Sequence, residues 1–591
     1  MIAESPTKGR VSQARYGSDI VVDVLRDLGV EYVSLNPGAS FRGLHDSLVN
    51  YGGDASPHTI LCTHEGIAIA IAHGYGRAAG KPMASAVHNI VGLLHGTNAI
   101  FNAWLQHAGL IVLGGTGPMA VEQRRPWIDW IHTALVQGNA VRDYVKWDDQ
   151  PASVPGFVDS LIRAYQIAVA EPQGPVYVCF DAALQEMALD EQLPIPDPSS
   201  FAQPSRPQAD ARLLEQTADL LLSAERPVVI ADYLGKAPEA VEGLLRLAET
   251  LSLPVIAQGN LFNFPSRHPL NLSDAPSELL QQADVILSLD VYDIQQTLTA
   301  PDWVNRTVTD LPPAGAKIID ISLRQYHIHS WSTDWGRLYP VSIPITADTA
   351  QALPALADLC ARKLEEQPDR KPALAERAAR LSARHDELVK QAEDQASRVP
   401  DTGPLPRPAV AKAFRDVVQN DDWVIACNDL RGWGRRLWDM REPHQYASSS
   451  GGTGNGYAVG LGVALANKNT GRLTVNFQAD GDLMYNPGAL WTAANHQIPL
   501  LSVMYNNRSY YNDGQHQKDI AGVRDRPVEN WGVSINIENP YIDYATLAKS
   551  MGVYAEGPIE RADDLIPALE RARKVVVEQG LPAIVDVVTE N

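Results

Sequence analysis

The 591-residue sequence is poor in cysteine and has no long basic segment. Its four cysteines are far apart with no Cys-x-x-Cys pair, which argues against a disulfide framework or a zinc site; we expect each to be a buried thiol: Cys62, Cys179, Cys360 and Cys427. The 49 basic residues against 70 acidic ones give a formal charge of −21, with no run rich in lysine or arginine. Nucleic acid is therefore not an expected partner.

Long apolar segments are also missing. The first 20 residues contain no apolar stretch of the signal-peptide kind, and the sequence has no uninterrupted apolar segment of about 18 residues. We therefore expect no membrane partner and a cytoplasmic location. The content of 45% hydrophobic and 20% charged residues is that of a globular protein, and the length is sufficient for three domains.

Short apolar runs alternate with longer helical patterns along most of the chain. Examples are HTILCTHE in the first part, PVVIADYLG in the second and PLLSVMYNN in the third. This alternation predicts an α/β protein of three doubly wound α/β domains with parallel central sheets. A proline-rich linker (187–210) and a polar linker helix (365–398) separate them, which gives predicted domains 1–190, 205–350 and 395–591.

Polar residues follow two neighbouring strands of the predicted third domain. Asp480 and Gly481 come after TVNFQA, and Asn506 and Asn507 come after PLLSVMY. Parallel strands joined by a right-handed crossover end at the same edge of a sheet, so we expect these turns to lie close together. Carboxylate, amide and carbonyl oxygens suit Mg²⁺ or Ca²⁺, and Mg²⁺ commonly bridges to phosphates, which predicts a phosphorylated cofactor. The alternative is an ordinary turn and a helix cap.

The spacing of these two turns resembles the diphosphate-binding motif of thiamine-diphosphate enzymes. In that motif Gly-Asp-Gly precedes Asn-Asn at a fixed interval; here Ala479 replaces the first glycine, and 27 positions separate Asp480 from Asn507. The resemblance implies thiamine diphosphate and Mg²⁺ as cofactors. It also implies the protein contacts to them: Asp480, Asn507 and the Ser509 carbonyl for the metal, and Gly481 and Asp482 for the diphosphate.

A second segment, TILCTHEGIAIAIAHGYGRAAGK, resembles the part of that family that carries a cofactor-activating glutamate. By this resemblance Glu65 is catalytic and protonates the aminopyrimidine ring, and its apolar neighbours predict that it is buried. The alternative is a first-turn glutamate that complements the helix dipole. The family binds the pyrimidine with the first domain of one subunit and the diphosphate with the third domain of another. A homodimer or homotetramer with shared active sites is therefore implied, built from pyrimidine-binding, central and diphosphate-binding domains.

Residues 87–115 resemble the corresponding segment of benzoylformate decarboxylases. The pattern is carried without gaps by His88, Asn102, Ala103, Trp104 and His107, and the opening turn Asn36-Pro37-Gly38 also resembles that group. The resemblance implies catalytic roles for His88 and Asn89 and cofactor binding by Asn36, Pro37 and Gly38. The alternative for His88 is a strand-end histidine bonded to the backbone, and we assign that structural role to His95 and His107.

Some positions depart from the decarboxylase pattern. Ala39, followed by Ser40, stands where a serine is expected, and Asp290 stands where a second histidine is expected. Where the family wedges a bulky aliphatic residue beneath the cofactor, this chain has Thr453, and the resemblance implies cofactor binding by Gly452 and Thr453. Four residues are candidates for the substrate pocket: Ala39, Ser40, Tyr511 and Asp513. For Tyr511 and Asp513 the alternative is a simple loop position.

These features predict a thiamine-diphosphate- and Mg²⁺-dependent carbon–carbon lyase and carboligase. It would decarboxylate a 2-oxo acid, or act on a 2-hydroxy ketone or aldehyde, all of them small molecules. Three alternatives stay open: an acetolactate-synthase-like transferase with FAD, a 2-hydroxyacyl-CoA lyase with ADP, and a catalytically silent paralogue. The sequence has no G-x-G-x-x-G motif for a nucleotide in the central domain.

Overall fold

The computed structural model describes residues 9–259, 261–327, 329, 332–334, 337–400, 402–449 and 453–591. The described chain forms three α/β units, each built on a parallel sheet with helices on both faces, as the sequence predicts. All four cysteines are buried. In the part of the chain that the structure describes, no helix combines the length and the apolar character needed to cross a membrane.

The N-terminal unit contains eight strands and seven α-helices within its described residues. The strands are β1 (Gly9–Val11), β2 (Tyr32–Leu35), β3 (His58–Leu61), β4 (Ala84–Val87), β5 (Leu110–Thr116), β6 (Trp147–Asp149), β7 (Pro175–Asp181) and β8 (Pro194–Pro196). The helices are α1 (Gly17–Asp27), α2 (Arg42–Asp46), α3 (Glu65–Ala79), α4 (Ile90–Leu105), α5 (Asp129–His132), α6 (Val154–Val169) and α7 (Ala182–Glu186). Six strands form the parallel sheet β3-β2-β4-β5-β7-β6. Every residue of β5 and β7 is buried, which explains their continuous apolar sequences.

The central unit has a five-stranded parallel sheet and a short hairpin. Its strands are β9 (Pro227–Ala231), β10 (Val255–Ala257), β11 (Val285–Leu289), β12 (Thr299–Asp302), β13 (Thr307–Asp310), β14 (Lys317–Ser322) and β15 (Ile343–Thr346). Its helices are α8 (Ala211–Ser223), α9 (Pro238–Leu251), α10 (Pro276–Leu280), α11 (Ile294–Leu298) and α12 (Thr349–Glu365). The sheet order is β10-β9-β11-β14-β15, and β12 pairs with β13 in antiparallel fashion.

The C-terminal unit follows a long helix, α13 (Lys371–Ala396), which matches the predicted polar linker helix. Its strands are β16 (Trp423–Ile425), β17 (Leu473–Ala479), β18 (Leu500–Asn506), β19 (Tyr554–Ile559) and β20 (Ala583–Val588), in the parallel order β16-β17-β18-β20-β19. Its helices are α14 (Arg407–Val418), α15 (Trp433–Leu437), α16 (Gly456–Asn467), α17 (Asp480–Leu483), α18 (Ala489–Asn495), α19 (Tyr511–Val523), α20 (Tyr544–Ser550) and α21 (Ala562–Gln579).

The proline-rich linker differs from its prediction in one respect. Its residues 194–196 form β8, which pairs in antiparallel fashion with β1, so that Gly9 lies opposite Pro196. Proline lacks a backbone donor but keeps its carbonyl, and a two-stranded ribbon with open edges tolerates it. The beginning of the linker therefore returns to the first unit before the chain continues to the second.

Helices α3 and α16 bring the first and third units into close contact. A Cβ on Gly74 would lie 2.0 Å from the carbonyl oxygen of Val459, and a Cβ on Gly462 would lie 2.0 Å from that of Ile71. Glycine at these positions lets the two backbones touch. The start of α3, which carries Glu65, therefore lies in the same chain beside the diphosphate-motif unit.

Candidate functional site

The two polar turns of the third unit lie side by side. Strands β17 and β18 are parallel neighbours, with Ala479 opposite Tyr505. Asp480 follows the first strand as the first residue of α17 and is 2% exposed, and Asn506 is the last residue of the second. The prediction that both turns emerge at one edge of the sheet is thereby confirmed.

Three oxygen atoms converge between these turns. The side-chain oxygen of Asn507 lies 3.1 Å from Oδ1 of Asp480 and 2.8 Å from the carbonyl oxygen of Ser509. Turning the amide over would replace this oxygen by an NH₂ group that donates to both neighbours, which satisfies the turn in the absence of an ion. With the oxygen inward, the carboxylate, amide and carbonyl form the all-oxygen donor set that a hard divalent cation binds.

The Asp480 carboxyl group also fits a cation. Its Oδ2 is buried and has no hydrogen-bond partner among the described residues. Burial raises the pKa of Asp480 to about 6, and backbone N–H groups that include those of Arg508 and Ser509 act in the opposite direction. A bound divalent ion would favour the ionised carboxylate and satisfy the orphaned oxygen. The residues present therefore fit Mg²⁺, with Asp480, Asn507 and the Ser509 carbonyl as ligands.

Asp482 connects the first turn to the glycine-rich loop before α16. Its carboxylate accepts hydrogen bonds from the backbone of Gly454 (2.6 Å) and Gly456 (3.3 Å) and from the Gln478 amide (2.9 Å). Burial raises the pKa of Asp482. Its side chain thus holds the loop in place, a role that the sequence did not reveal; the predicted approach of its backbone to a diphosphate stays a prediction.

Other residues of the predicted diphosphate region have different environments. Thr453 is exposed, and its carbonyl accepts a hydrogen bond from the Asn98 amide at 3.0 Å, which joins this loop to α4. Gly481 lies against the Tyr510 ring, because a Cβ there would be 2.7 Å from Cε1 of the tyrosine. Gly452 lies outside the described residues.

Glu65 is buried at the start of α3, as predicted, with 3% of its surface exposed. Its Oε2 lies 3.3 Å from Nδ1 of His95, and the His95 ring stacks on His64 at 5.2 Å between centroids. His95 therefore contacts the catalytic candidate, whereas the sequence assigned it a strand-end role; it lies on α4, one turn after Gly92. A Cβ on Gly92 would be 2.6 Å from Oε1 of Glu65, so this glycine gives the carboxylate its space.

His88 follows β4 and is held by Ser40. The Ser40 hydroxyl lies 2.9 Å from Nδ1 of His88 and accepts the backbone N–H of Asn89 at 2.9 Å. Burial lowers the pKa of His88, and the nearby His132 lowers it further. Gly38 packs on the His88 ring, since a Cβ there would lie 2.7 Å from it.

The structure distinguishes the predicted pocket residues near His88. Ser40 is fully buried and faces the histidine, so it supports His88 and does not line an open pocket. Ala39 is exposed in the same loop, and Asn36 and Pro37 precede it directly after β2. The Oδ1 atom of Asn89 is buried with no hydrogen-bond partner among the described residues, so it is available to a bound group.

Residues after β5 complete this region and were missed by sequence reasoning. The His132 ring lies 5.1 Å from the His88 ring. Arg125 forms an ion pair with the buried Asp129 at 2.8 Å and donates to the Ala39 carbonyl at 3.4 Å. The available signal was their position, because they follow the carboxyl end of a central strand, where α/β ligand sites form.

Tyr511 and Asp513 lie on α19 and make contacts away from this group. The Tyr511 ring packs edge-on against Trp531 at 5.7 Å and lies under the Lys518 ammonium group. Asp513 is exposed. Within the described residues neither side chain has a hydrogen bond to Glu65 or His88, so the structure does not bring these two pocket candidates to the catalytic candidates.

The start of α3 is linked by direct contacts to the glycine-rich loop of the third unit. A Cβ on Gly66 would lie 3.5 Å from the Asn486 amide, and that amide donates to the Gly454 carbonyl at 2.8 Å. These contacts join the first and third units within one chain, and the predicted sharing of the site between two subunits stays a prediction. The number of subunits stays a prediction.

Residues at the carboxyl ends of β9 and β11 in the central sheet contact the first unit. Lys236 is buried and lies 3.1 Å from Asp290 and 3.8 Å from Glu171. Tyr233 donates its hydroxyl to the His107 carbonyl at 2.9 Å. Burial raises the pKa of Asp290 to about 6, and Lys236 opposes this. Asp290 thus lies at a domain interface. The His107 ring packs against the rings of Tyr233 and His327, and its Nδ1 has no hydrogen-bond partner among the described residues, so the backbone-bonded role stays a prediction.

Comparison with known proteins gives consistent matches over the three units. Residues 15–137, 214–356 and 427–587 match the N-terminal TPP binding, central and C-terminal TPP binding domain models of thiamine pyrophosphate enzymes. A benzoylformate decarboxylase of Pseudomonas aeruginosa is 26% identical, with 96% of this chain and 98% of the relative covered. An acetolactate synthase of Bacillus subtilis is 22% identical, with 95% and 92% covered.

Solved structures show the same fold. The benzoylformate decarboxylase of Polynucleobacter necessarius has a TM-score of 0.73 at 20% identity, and it covers 98% of this chain and 99% of its own. The 4-hydroxybenzoylformate decarboxylase of Rhodococcus jostii has a TM-score of 0.72 at 19% identity over the same shares. At these identities the likeness concerns the fold.

Proposed function

We propose that this chain, which belongs to the thiamine pyrophosphate enzymes, is a Mg²⁺-dependent decarboxylase of a small 2-oxo acid that also joins the product to an aldehyde. The observation that carries the proposal is a buried carboxyl group, Glu65, in the first unit together with a set of three oxygens from Asp480, Asn507 and Ser509 in the third unit. The matched N-terminal and C-terminal domain models include these residues.

The C-terminal unit would hold the metal and the diphosphate. Asp480, Asn507 and the Ser509 carbonyl are the ligands that the oxygen cluster offers to Mg²⁺. Asp482 fixes the glycine-rich loop against the same turn through two backbone N–H groups. These residues bind and orient; they do not take part in the chemical step.

Thiamine diphosphate, when bound, supplies a carbanion for attack on the 2-oxo group and accepts the electrons released with CO₂. Glu65 exchanges the proton that this activation needs, through its buried carboxyl group. Gly92 and the His95 ring fix the carboxylate oxygens Oε1 and Oε2 in position. Burial beside α4 keeps water from competing for this proton.

His88 is the residue that moves protons on the substrate. Burial lowers its pKa, which favours the neutral imidazole. Because Ser40 accepts the Asn89 N–H, the serine hydroxyl hydrogen is free to point at Nδ1 of His88, which places the imidazole proton on Nε2. Nε2–H then donates a hydrogen bond to the developing oxyanion. The ring protonates carbon only after it has itself taken up a proton from solvent, so that it acts there as the imidazolium.

The second candidate is an acetolactate-synthase-like transferase, because acetolactate synthases also match nearly the whole chain. At the carboxyl edge of the central sheet, Tyr233, Lys236 and Asp290 are held in contacts at the ends of β9 and β11, whereas a cavity of about 300 Å³ lies beside Gly259 and Arg435 after β10. The cofactor test therefore distinguishes the two candidates.

The test is to incubate purified protein with thiamine diphosphate and Mg²⁺ and to offer aromatic and aliphatic 2-oxo acids, with and without acceptor aldehydes. We expect CO₂ release and ketol formation, both abolished in Glu65→Gln. Failure to bind thiamine diphosphate with Mg²⁺ would refute the proposal. Acetolactate formation that requires added FAD would favour the transferase.

A further inference from the structure

The first asparagine of the Asn506-Asn507 pair has a different environment from the second. Asn506 is 2% exposed, and its side chain points away from the oxygen cluster into the interior. Its Oδ1 accepts the backbone N–H of Arg508 at 3.1 Å. Arg508 has a φ of 56°, a left-handed conformation that is unusual for a side-chain-bearing residue. This turn is therefore held by the Asn506 side chain at the point where it reverses.

The other end of the Asn506 amide is held from the next strand. Its Nδ2 donates to Oδ1 of Asp586 on β20 at 3.0 Å. Strand register places Asp586 opposite Met504, two residues before Asn506, so the two side chains are diagonal neighbours across adjacent strands. Asp586 is 1% exposed. Among the described residues, the Asn506 amide is the one side chain that donates a hydrogen bond to its carboxylate, and Oδ2 has no partner.

The strand beyond β20 leaves room for this carboxyl group. A Cβ on Gly557 of β19 would lie 2.7 Å from Cβ of Asp586, and Gly557 has a φ of 133°. Glycine is therefore required opposite Asp586, and the carboxyl group is confined between β19 and β18. A confined acceptor gives the Asn506 amide one orientation.

We propose that Asp586 is a positioning residue for the metal-binding turn: through Asn506 and the Arg508 N–H it aims the Asn507 side chain and the Ser509 carbonyl at Asp480. The inference rests on the metal site of the proposed function. Asp586 does not ligand the ion. Its part is to complete a chain of two hydrogen bonds that fixes the ligands, as outer-shell partners do at other metal sites.

The experiment measures Mn²⁺ binding by electron paramagnetic resonance, with saturating thiamine diphosphate and without substrate. We expect Asp586→Ala and Asn506→Ala to bind Mn²⁺ about 10- to 100-fold more weakly than the unchanged protein. The double variant should be no weaker than the weaker single variant, because both changes break one chain of bonds. Asp586→Asn keeps an acceptor for Asn506 and should stay within about threefold.

The control is Ser502→Ala, which changes another buried polar residue of β18 whose hydroxyl has no hydrogen-bond partner among the described residues. It should leave Mn²⁺ affinity unchanged, and thermal unfolding of each variant shows that it is folded. Unchanged affinity in Asp586→Ala overturns the inference, as does an Asp586→Asn variant as weak as Asp586→Ala. If the unchanged protein binds no Mn²⁺, the proposed metal site fails as well.

Discussion

Gly92 offers a test of the catalytic roles assigned to the neighbouring Glu65 and His88. A Cβ added at this position would lie 2.6 Å from Oε1 of Glu65 and 2.8 Å from Cβ of His88. Ordinary contacts of this kind are about 3.4 Å or longer, so the carboxylate must move by about 1 Å. The Gly92→Ala substitution therefore displaces the catalytic candidate without removing any polar group.

The size of the effect follows from these overlaps. Overpacking by one methyl group in a tight interior costs about 1–3 kcal/mol of unfolding free energy. A displacement of about 1 Å of a reacting group lowers the rate by about 10²-fold. We expect kcat of Gly92→Ala to fall by about that factor with substrate and cofactor saturating, while the protein remains folded.

Gly96→Ala is the matched control, one turn further along α4. Its Cβ would meet Cδ1 of Ile69 at 2.4 Å, the mobile end of an aliphatic side chain, and would approach Glu65 only at Cβ, at 3.6 Å. It should cost similar unfolding free energy by urea titration and leave kcat within a few-fold. Equal loss of kcat in both variants, or full activity in Gly92→Ala, would refute the assignment.

Three further predictions concern the metal, His88 and acid stability. Asp480→Asn should abolish the rise in melting temperature that Mg²⁺ and thiamine diphosphate together produce, because one charged ligand is lost; an unchanged rise contradicts the ligand set. Ser40→Ala should lower the free energy of unfolding, measured by urea titration, by about 1–3 kcal/mol, because the Asn89 N–H loses its acceptor. It should also lower kcat; unchanged values of both quantities would contradict the role of Ser40 in positioning His88. Burial lowers the pKa of His73 to about 3 and that of His327 to about 4. In the unfolded chain each histidine binds a proton below about pH 6.5, whereas the folded groups stay neutral, so their contribution to stability is present above pH 6.5 and is lost as the pH falls towards 4. Each histidine should lower the free energy of unfolding by about 1.4 kcal/mol between pH 7.5 and 5.5. His73→Gln should make the free energy of unfolding, measured by urea titration, fall less over this pH range.

Tertiary structure corrected several interpretations of individual residues. The sequence predicts Ser40 in the substrate pocket, but its side chain is buried against His88. It predicts a backbone-bonded structural role for His95, but the His95 ring contacts the Glu65 carboxylate. Tyr511 packs on Trp531 because α19 turns its side chain that way. Direction of a side chain depends on the rotation of its helix or loop, which spacing along the chain does not reveal.

The sequence by itself determined the strand and helix alternation, the two neighbouring polar turns and the buried glutamate, because each depends on residues close together in the chain or on a spacing across one crossover. Only the tertiary structure decided which distant residues complete the site. Asp586 lies 80 residues beyond Asn506, and Gly92 reaches Glu65 from another helix. Such contacts arise when sheets stack neighbouring strands and helices cross, and no local pattern records them.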